Sequence, residues 1–185
     1  IVRYKKQLSK LNYFIPLSNS IGNEKPIVTD SIVSESYQES IDNSTYYQKF
    51  CSYLLDRRQY LGRYIRRNNG VILRIENVVF DKEELYFVIR IENRSTLDYD
   101  LNFLNMSIET RQKGKMKSLQ RLYQNPIYKH KLPSKIGENE MVRFVYVLPK
   151  FSLSNNRRAI LELNEKNGER NIEMKISHNY INNPN

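Results

Sequence analysis

The chain of 185 residues has no tryptophan, a single cysteine and only two histidines. Because Cys51 is alone, no internal disulfide can form, which argues against a small disulfide-stapled scaffold. No apolar run reaches about 18 residues, so the sequence predicts no transmembrane helix. No signal peptide is recognisable, and the start at Ile1, without a methionine, leads us to expect a fragment of a longer protein.

Catalytic motifs are also scarce. His130 and His178 lie far apart in the sequence, and neither has a metal-ligand companion at a recognised spacing. No glycine-rich phosphate loop and no G-x-S-x-G motif occur, since the glycines at 114, 137 and 168 are isolated turn residues. We therefore predict a protein that is not an enzyme and that uses no cofactor and no metal.

Positive charge is abundant, with a formal net charge of +10. Such a charge favours nucleic acid, an anionic membrane surface or an acidic protein as partner, without choosing among them. The chain also has 14 tyrosines, a residue that suits half-buried sheet positions and interfaces because its ring packs while its hydroxyl stays in water.

The basic residues concentrate in two segments, 57–74 with six arginines and no acid, and 109–121 with five basic residues and one acid. The candidate binding residues are Arg57, Arg58, Arg63, Arg66, Arg67, Lys113, Lys115, Lys117 and Arg121. Tyr60 and Tyr64 interleave with the first group, as in a nucleic-acid platform, whereas the second segment has no aromatic residue. We interpret the two segments first as solvated surface, second as a docking contact for an acidic protein and third as a DNA-binding surface.

The predicted organisation has five parts. Residues 1–17 are interpreted as the remnant of an N-terminal β domain, 18–34 as a linker rich in Ser, Asn, Gly and Pro, 35–70 as an amphipathic helix, 71–178 as a β-sandwich domain and 179–185 as a tail. We expect the linker to be poorly ordered unless a partner holds it.

The helix prediction depends on one apolar stripe with spacings of three, four and seven, formed by Tyr47, Phe50, Cys51, Leu54, Leu61 and Ile65. Ser36 and Glu39 have capping-box spacing at its start, and Asn68, Asn69 and Gly70 are interpreted as its end. The helix is expected to pack on the following sheet, with its arginines in water. The alternative is an arm that docks on a neighbouring subunit.

From Val71 onward the pattern is that of β-strands. Leu85, Phe87, Ile89 and Ile91 alternate with Tyr86, Val88, Arg90 and Glu92, which gives one buried row of side chains. Strands are predicted near 71–79, 84–93, 100–111, 122–130, 140–149, 158–166 and 170–177. Seven such strands indicate a mainly β fold, an immunoglobulin-like antiparallel β-sandwich, with a small barrel as the alternative.

Two short motifs indicate local features of the predicted sandwich. Asn167-Gly168 between alternating runs predicts a hairpin with a type I′ turn, in which both central residues have positive φ. Asn93-Arg94-Ser95 and Asn43-Ser44-Thr45 match the glycosylation sequon. We interpret Asn93 instead as the residue that turns the chain out of its strand.

Several motifs between residues 47 and 177 occur in an order and spacing that resemble the TraN proteins of Bacteroides-type conjugative transposons. In that family a strand ends in an Asn-x-Ser turn followed by Tyr-Asp, and a basic segment then leads to a glutamine. A Pro-x-Tyr, a Leu-Pro-Lys-Phe and a Glu-Lys-Asn-Gly hairpin with a following arginine come after it in the sequence. The matching positions are Asn93, Ser95, Tyr99, Asp100, Lys113, Lys115, Lys117, Gln120, Pro126, Tyr128, Leu148 to Phe151, Glu165 to Gly168 and Arg170. Glu169 stands where that family usually has a second glycine, which puts the geometry of this turn in question.

The resemblance implies a non-enzymatic part of a conjugation apparatus, similar in role to the outer-membrane-associated sandwich component of type IV secretion channels. It implies a periplasmic, outer-membrane-associated location, other conjugation proteins including a lipoprotein as partners, and a homo-oligomer in the assembled channel. Pairing through edge strands is the physical mode that we expect. Two alternatives remain: a DNA-binding accessory protein of conjugation and a glycan-binding surface sandwich, because the fold alone does not choose a role.

Overall fold

The computed structural model describes residues 30–57, 64–111 and 119–185, and side chains from residue 43 onward within these ranges except those of residues 111 and 119. It has two helices and ten strands there: α1 Asp30–Asp56, β1 Ile65–Asn68, β2 Val71–Asp81, β3 Glu84–Asn93, β4 Tyr99–Arg111, β5 Leu119–Gln124, β6 Tyr128–His130, β7 Lys135–Ile136, β8 Met141–Pro149, β9 Arg157–Glu165, β10 Ile172–Ile176 and α2 His178–Asn182. Residues 1–17 and most of the predicted linker lie outside the described residues.

The chain divides into two compact units, Ile1–Ser40 and Ile41–Asn185. In the first unit only the beginning of α1 is described. The second unit contains the rest of α1, all of the described strands and α2.

The second unit is an antiparallel sandwich of two sheets. One sheet has the order β1-β2-β3-β8-β6, and the other has the order β10-β9-β4-β5, with β7 paired to the start of β4. The prediction of a mainly β, antiparallel sandwich is confirmed. The strand predicted at 84–93 has those bounds in the structure, because its alternate apolar residues are regular from Leu85 to Ile91.

The core between the sheets is built from alternate residues of the long strands. Leu85, Phe87 and Ile89 of β3 join Met106 and Leu161 of the other sheet within one apolar cluster. The Tyr146 hydroxyl of β8 donates a hydrogen bond of 3.1 Å to the Leu104 carbonyl of β4, which satisfies the buried phenol and joins the two sheets.

A second apolar cluster lies on the outer face of the first sheet, under the last turns of α1. Cys51 and Leu54 are buried there against Tyr86, Val88 and Val145. This part of the helix packs on its own sandwich, so the in-chain packing predicted for the apolar stripe is confirmed for residues 47–54.

The predicted end of the helix is wrong. The helix ends at Asp56, and Ile65 to Asn68 form strand β1, paired with Val71 to Arg74 of β2. Asn69 and Gly70 have φ of 42° and 84°, so they form the two-residue turn of a hairpin. Asn-Gly suits both a helix C-terminus and a type I′ turn because both need positive φ, and this ambiguity caused the error. The helix also begins earlier than expected, at Asp30, inside the predicted linker.

The strand predicted at 122–130 is two strands, β5 and β6, in different sheets. Pro126 lies between them and has no N–H to donate to a ladder, which explains the break. The predicted tail contains the short helix α2, whose Ile181 is buried, and Asn185 exchanges backbone hydrogen bonds with Val78 and Phe80 of β2.

The expected type I′ turn at Asn167-Gly168 does not form. Asn167 has φ of 58°, but Gly168 is not in the left-handed region, and the connection is longer, from Glu165 to Ile172. A Cβ at Gly168 would overlap the Glu165 carboxylate, so the loop folds closely around that side chain.

Candidate interaction surface

Polar residues of the sequence motifs meet at one end of the sandwich, around Asn93. Its side chain is fully buried, and its amide N–H groups donate to the carbonyls of Leu97, Ile136 and Gly137 at 2.8, 3.3 and 3.0 Å. Its oxygen accepts from the Ser95 N–H and hydroxyl at 3.1 and 2.7 Å. Asn93 therefore turns the chain out of β3, as predicted, and its burial rules it out as a glycosylation acceptor in the folded protein.

Arg170 joins this turn to the β9–β10 connection. Its guanidinium donates to the Glu165 carboxylate, to the Ser95 hydroxyl at 2.7 Å and to the carbonyls of Leu97 and Asp98 at 3.3 and 2.7 Å. It also lies 5.3 Å from the centre of the Tyr99 ring. Its donors point to atoms of the same chain, so this cluster stabilises the fold and leaves little capacity for binding a ligand.

An open cleft of about 1080 Å³ lies beside the Arg170 cluster. Its lining mixes acids and bases, and Asp98 and Lys135 form an ion pair there at 2.5 Å. Neither sign of charge dominates, so the cleft does not select an anion or a cation.

The candidate basic residues do not share one helix face. Arg57 follows α1, with its guanidinium 5.1 Å from the Tyr53 ring centre, whereas Arg66 and Arg67 are exposed on β1. Arg121 of β5 is ion-paired with Glu173 at 2.7 Å and lies 3.7 Å from Glu109. The remaining candidates lie outside the described residues: Arg58, Arg63, Lys113, Lys115 and Lys117. Their role in binding stays a prediction.

The titratable residues under α1 act as contacts between helix and sheet. His130 is buried with its Nε2 3.3 Å from the Ser52 hydroxyl, and its burial, followed by the nearby Lys131 charge, lowers its pKa. Burial raises the pKa of the Cys51 thiol to about 12, which keeps it protonated and poorly nucleophilic. Within the described ranges, no three His, Cys, Asp or Glu side chains are grouped so that they could hold a metal ion.

Two carboxylates of the first sheet accept hydrogen bonds from tyrosines of α1. Tyr46 donates to Asp81, and Tyr47 donates to Glu84, which also accepts from Tyr86 of the sheet. Burial and then these hydrogen bonds raise the pKa of Tyr46 and of Tyr47 to about 12. The phenols therefore stay protonated donors at any physiological pH.

The exposed apolar side chains point to a different surface, the outer edge of β5. Leu122 and Tyr123 are 61% and 57% exposed, and Ile127, just after the strand, is 44% exposed. β5 is the last strand of its sheet, so in the described part of the chain its outer backbone groups have no strand beside them. Sequence reasoning missed these residues as a site because it placed 122–130 in one continuous strand. The adjacent Leu-Tyr pair before Pro126 was the available signal.

No helix in the described ranges is both long enough and apolar enough to span a bilayer. No curated protein shows significant similarity to the chain. A family model does match: residues 54–184, well over half of the chain, match the domain of unknown function DUF4138, over a range that includes the sandwich and the last turn of α1. The chain therefore belongs to the DUF4138 family.

Proposed function

We propose that this protein is a non-enzymatic structural component of a conjugative transfer apparatus, related to type IV secretion channels. It would be incorporated in the cell envelope, at the periplasmic side of the outer membrane, through protein–protein contacts. Other apparatus proteins, among them a lipoprotein, and further copies of the chain would be its neighbours.

The observation that carries this proposal is the apolar edge of β5 on a sandwich with a buried apolar core. Among the described residues no strand lies beside this edge, and with Leu122 and Tyr123 exposed it suits the addition of a strand from another protein. Asp98 and Lys135 beside the cleft are paired with one another, and the carboxylates under α1 hold the helix, so both sets have structural roles.

The TraN-like motifs suggest the biological setting, and the positions that carry them from Asn93 to Arg170 lie within the part of the chain that matches DUF4138. Four of the motif residues, Asn93, Ser95, Tyr99 and Arg170, meet in a single cluster in the structure. Motifs that are far apart in the sequence thus serve one structural purpose, which supports reading them as a set.

Co-purification from donor cells tests the proposal. A tagged copy, extracted by gentle solubilisation of the envelope, should elute in a large assembly together with other envelope proteins. A matched tagged copy expressed in cells without the transposon is the control and should elute as a small species. If the donor-cell protein also elutes only as a small free species, the proposal is wrong.

A further inference from the structure

The outer edges of the two sheets are protected to different degrees. The β10 edge lies against β1, where the Asn68 side chain donates to the Asn171 carbonyl at 3.0 Å and the Tyr64 hydroxyl lies 2.8 Å from the Ser177 hydroxyl. These contacts close the corner that β1 and β10 share. β6 is only three residues long and carries Lys129. Natural sheets commonly protect their edges by short strands, lysine and covering elements, and β5 has no lysine within its six residues, which read LQRLYQ.

The two faces of β5 are defined by its pairing with β4. Leu122 is opposite Ile108, which is buried in the core, so Leu122 lies on the inner face although it is mostly exposed. Arg121 and Tyr123 are opposite Glu109 and Ser107 and lie on the outer face. The edge therefore offers an apolar side chain at the border of the core, and an arginine and a tyrosine on the other face.

The one charged residue of β5 is already compensated within the chain. Arg121 is ion-paired with Glu173 and lies near Glu109, and the other residues of β5 are uncharged. The six residues of β5 can thus approach those of a second copy without strong repulsion among their own side chains.

We propose that β5 pairs in antiparallel fashion with β5 of a second copy of this chain, which joins the β10-β9-β4-β5 sheets of the two copies into one continuous sheet. Opposite residues in such a pair share a face, so inner-face residues must meet inner-face residues. A two-fold axis beside Leu122 satisfies this condition and places Arg121 opposite Tyr123 of the second copy. An axis beside Arg121 would place the two arginines opposite each other, which is unfavourable.

When the two strands pair about an axis at Leu122, the side chains from Gln120 to Gln124 each face a side chain of compatible chemistry. The two Leu122 side chains cover one another at the border of the core, and Gln120 meets Gln124 of the second copy, where the amides can exchange hydrogen bonds. On the outer face the guanidinium can stack on the tyrosine ring. This pairing makes a second copy of the chain one of the partners in the assembly proposed above. The role of the dimer in that assembly rests on the proposed function.

Sedimentation velocity of the full chain over a range of concentrations tests the pairing. We expect a reversible dimer for the unaltered protein and at least a roughly tenfold weaker association for Leu122→Lys, because a charge at the inner side of an edge opposes strand pairing. The Tyr123 side chain is exposed on the outer face. Tyr123→Lys should also weaken association, because it places a lysine opposite Arg121 of the second copy. Leu97→Lys is the matched control, because Leu97 is 70% exposed and lies on the β3–β4 connection, and it should dimerise as the unaltered protein does.

A cysteine pair tests the register. Leu122→Cys should form an intermolecular disulfide under mild oxidation, since the two positions are directly opposite, whereas Tyr123→Cys should form much less. Cys51 is buried and does not compete. A monomer at about 100 µM, or a Leu122→Lys protein that dimerises as well as the unaltered one, would overturn the pairing. A monomer that still co-purifies with the donor-cell assembly would overturn this inference alone and leave the proposed function standing.

Discussion

Asn93 and Arg170 show how single polar residues determine the shape of one end of the sandwich. Asn93 is fully buried and the Arg170 side chain is 14% exposed, and both donate to backbone carbonyls, including that of Leu97 in the β3–β4 connection. Because a buried carbonyl without a donor is costly, these two side chains hold a loop that has no regular secondary structure of its own. Replacing either residue should therefore lower the stability of the fold and should change the binding properties of the surface little.

Asn93→Asp should lower the free energy of unfolding by about 3 kcal/mol or more, because it replaces a donor to three carbonyls by a carboxylate that repels them. Asn102→Asp is the control, since Asn102 is exposed and donates to the Asn164 side chain, and its cost should be small. Urea denaturation of the two variants measures the difference. Equal midpoints would show that the buried amide does not hold the loop.

The Glu165–Arg170 pair should make stability depend on acidic pH. Burial raises the pKa of the Glu165 carboxyl, but the hydrogen bonds and charge of Arg170 outweigh it, and the folded pKa lies below the ordinary 4.5. A lowered folded pKa contributes stability that is present above the unfolded pKa and is lost as the pH falls through the folded one. The stability advantage of the unaltered protein over Glu165→Gln should thus shrink below about pH 4.5.

The same comparison in an Arg170→Met background provides the control for this pH dependence. Without the guanidinium, only the backbone N–H of residue 170, at 3.0 Å, still offsets the burial of the Glu165 carboxyl, so its pKa should rise and its carboxylate should contribute less to stability at neutral pH. The cost of Glu165→Gln in free energy of unfolding, measured by chemical denaturation across the pH range, should therefore be smaller near neutral pH in this background. An unchanged profile would mean that Arg170 is not the cause.

At the scale of elements, α1 is held at its C-terminal end by Arg143 of β8. The Arg143 guanidinium donates to the carbonyls of Leu55 and Arg57 and, at 2.6 Å, to the buried Glu76 carboxylate. The last turn of the helix contains no basic residue of its own, so this strand residue supplies both the missing donors and the positive charge that a helix C-terminus favours.

Arg143→Met keeps most of the apolar stem but removes these donors, and it should weaken the attachment of the helix by about 2 kcal/mol. Hydrogen exchange should show the loss chiefly in the amides of residues 43–56. Arg158→Met is the matched control, because Arg158 also faces an acid on a sheet surface, Glu109 at 3.7 Å, on the sheet that does not carry the helix. Protection that falls equally in both variants would contradict the capping role.

The elements differ in how far their sequence predicts them. The long strand β3 was predicted with its observed bounds because one row of side chains is buried along its whole length. The short strand β1, which reads IRRN, has no such row, and its arginines resemble the polar face of a helix. Its identity depends on tertiary pairing with β2, which a local pattern does not contain.

On the scale of the whole molecule, the described strands form a sandwich with a corner closed by β1 and β10 and with no further strand beside β5. The fold class followed from the alternation of apolar residues, but the apolar edge at Leu122 and Tyr123 did not, because exposure depends on which strand is last in its sheet. The contacts within the Arg170 cluster could not be predicted either. The sequence showed its members as separate motif positions, but it did not show that they touch one another. Contacts between residues that are far apart in the sequence depend on the topology of the fold, which the local sequence pattern does not determine.

The frequency of conjugative transfer from a donor strain that lacks this coding region tests the proposed function most directly. The proposal predicts that transfer is lost on deletion and is restored by a complementing copy that encodes the unaltered protein. If transfer continues undiminished in the deletion strain, the protein is not a structural part of the conjugation apparatus.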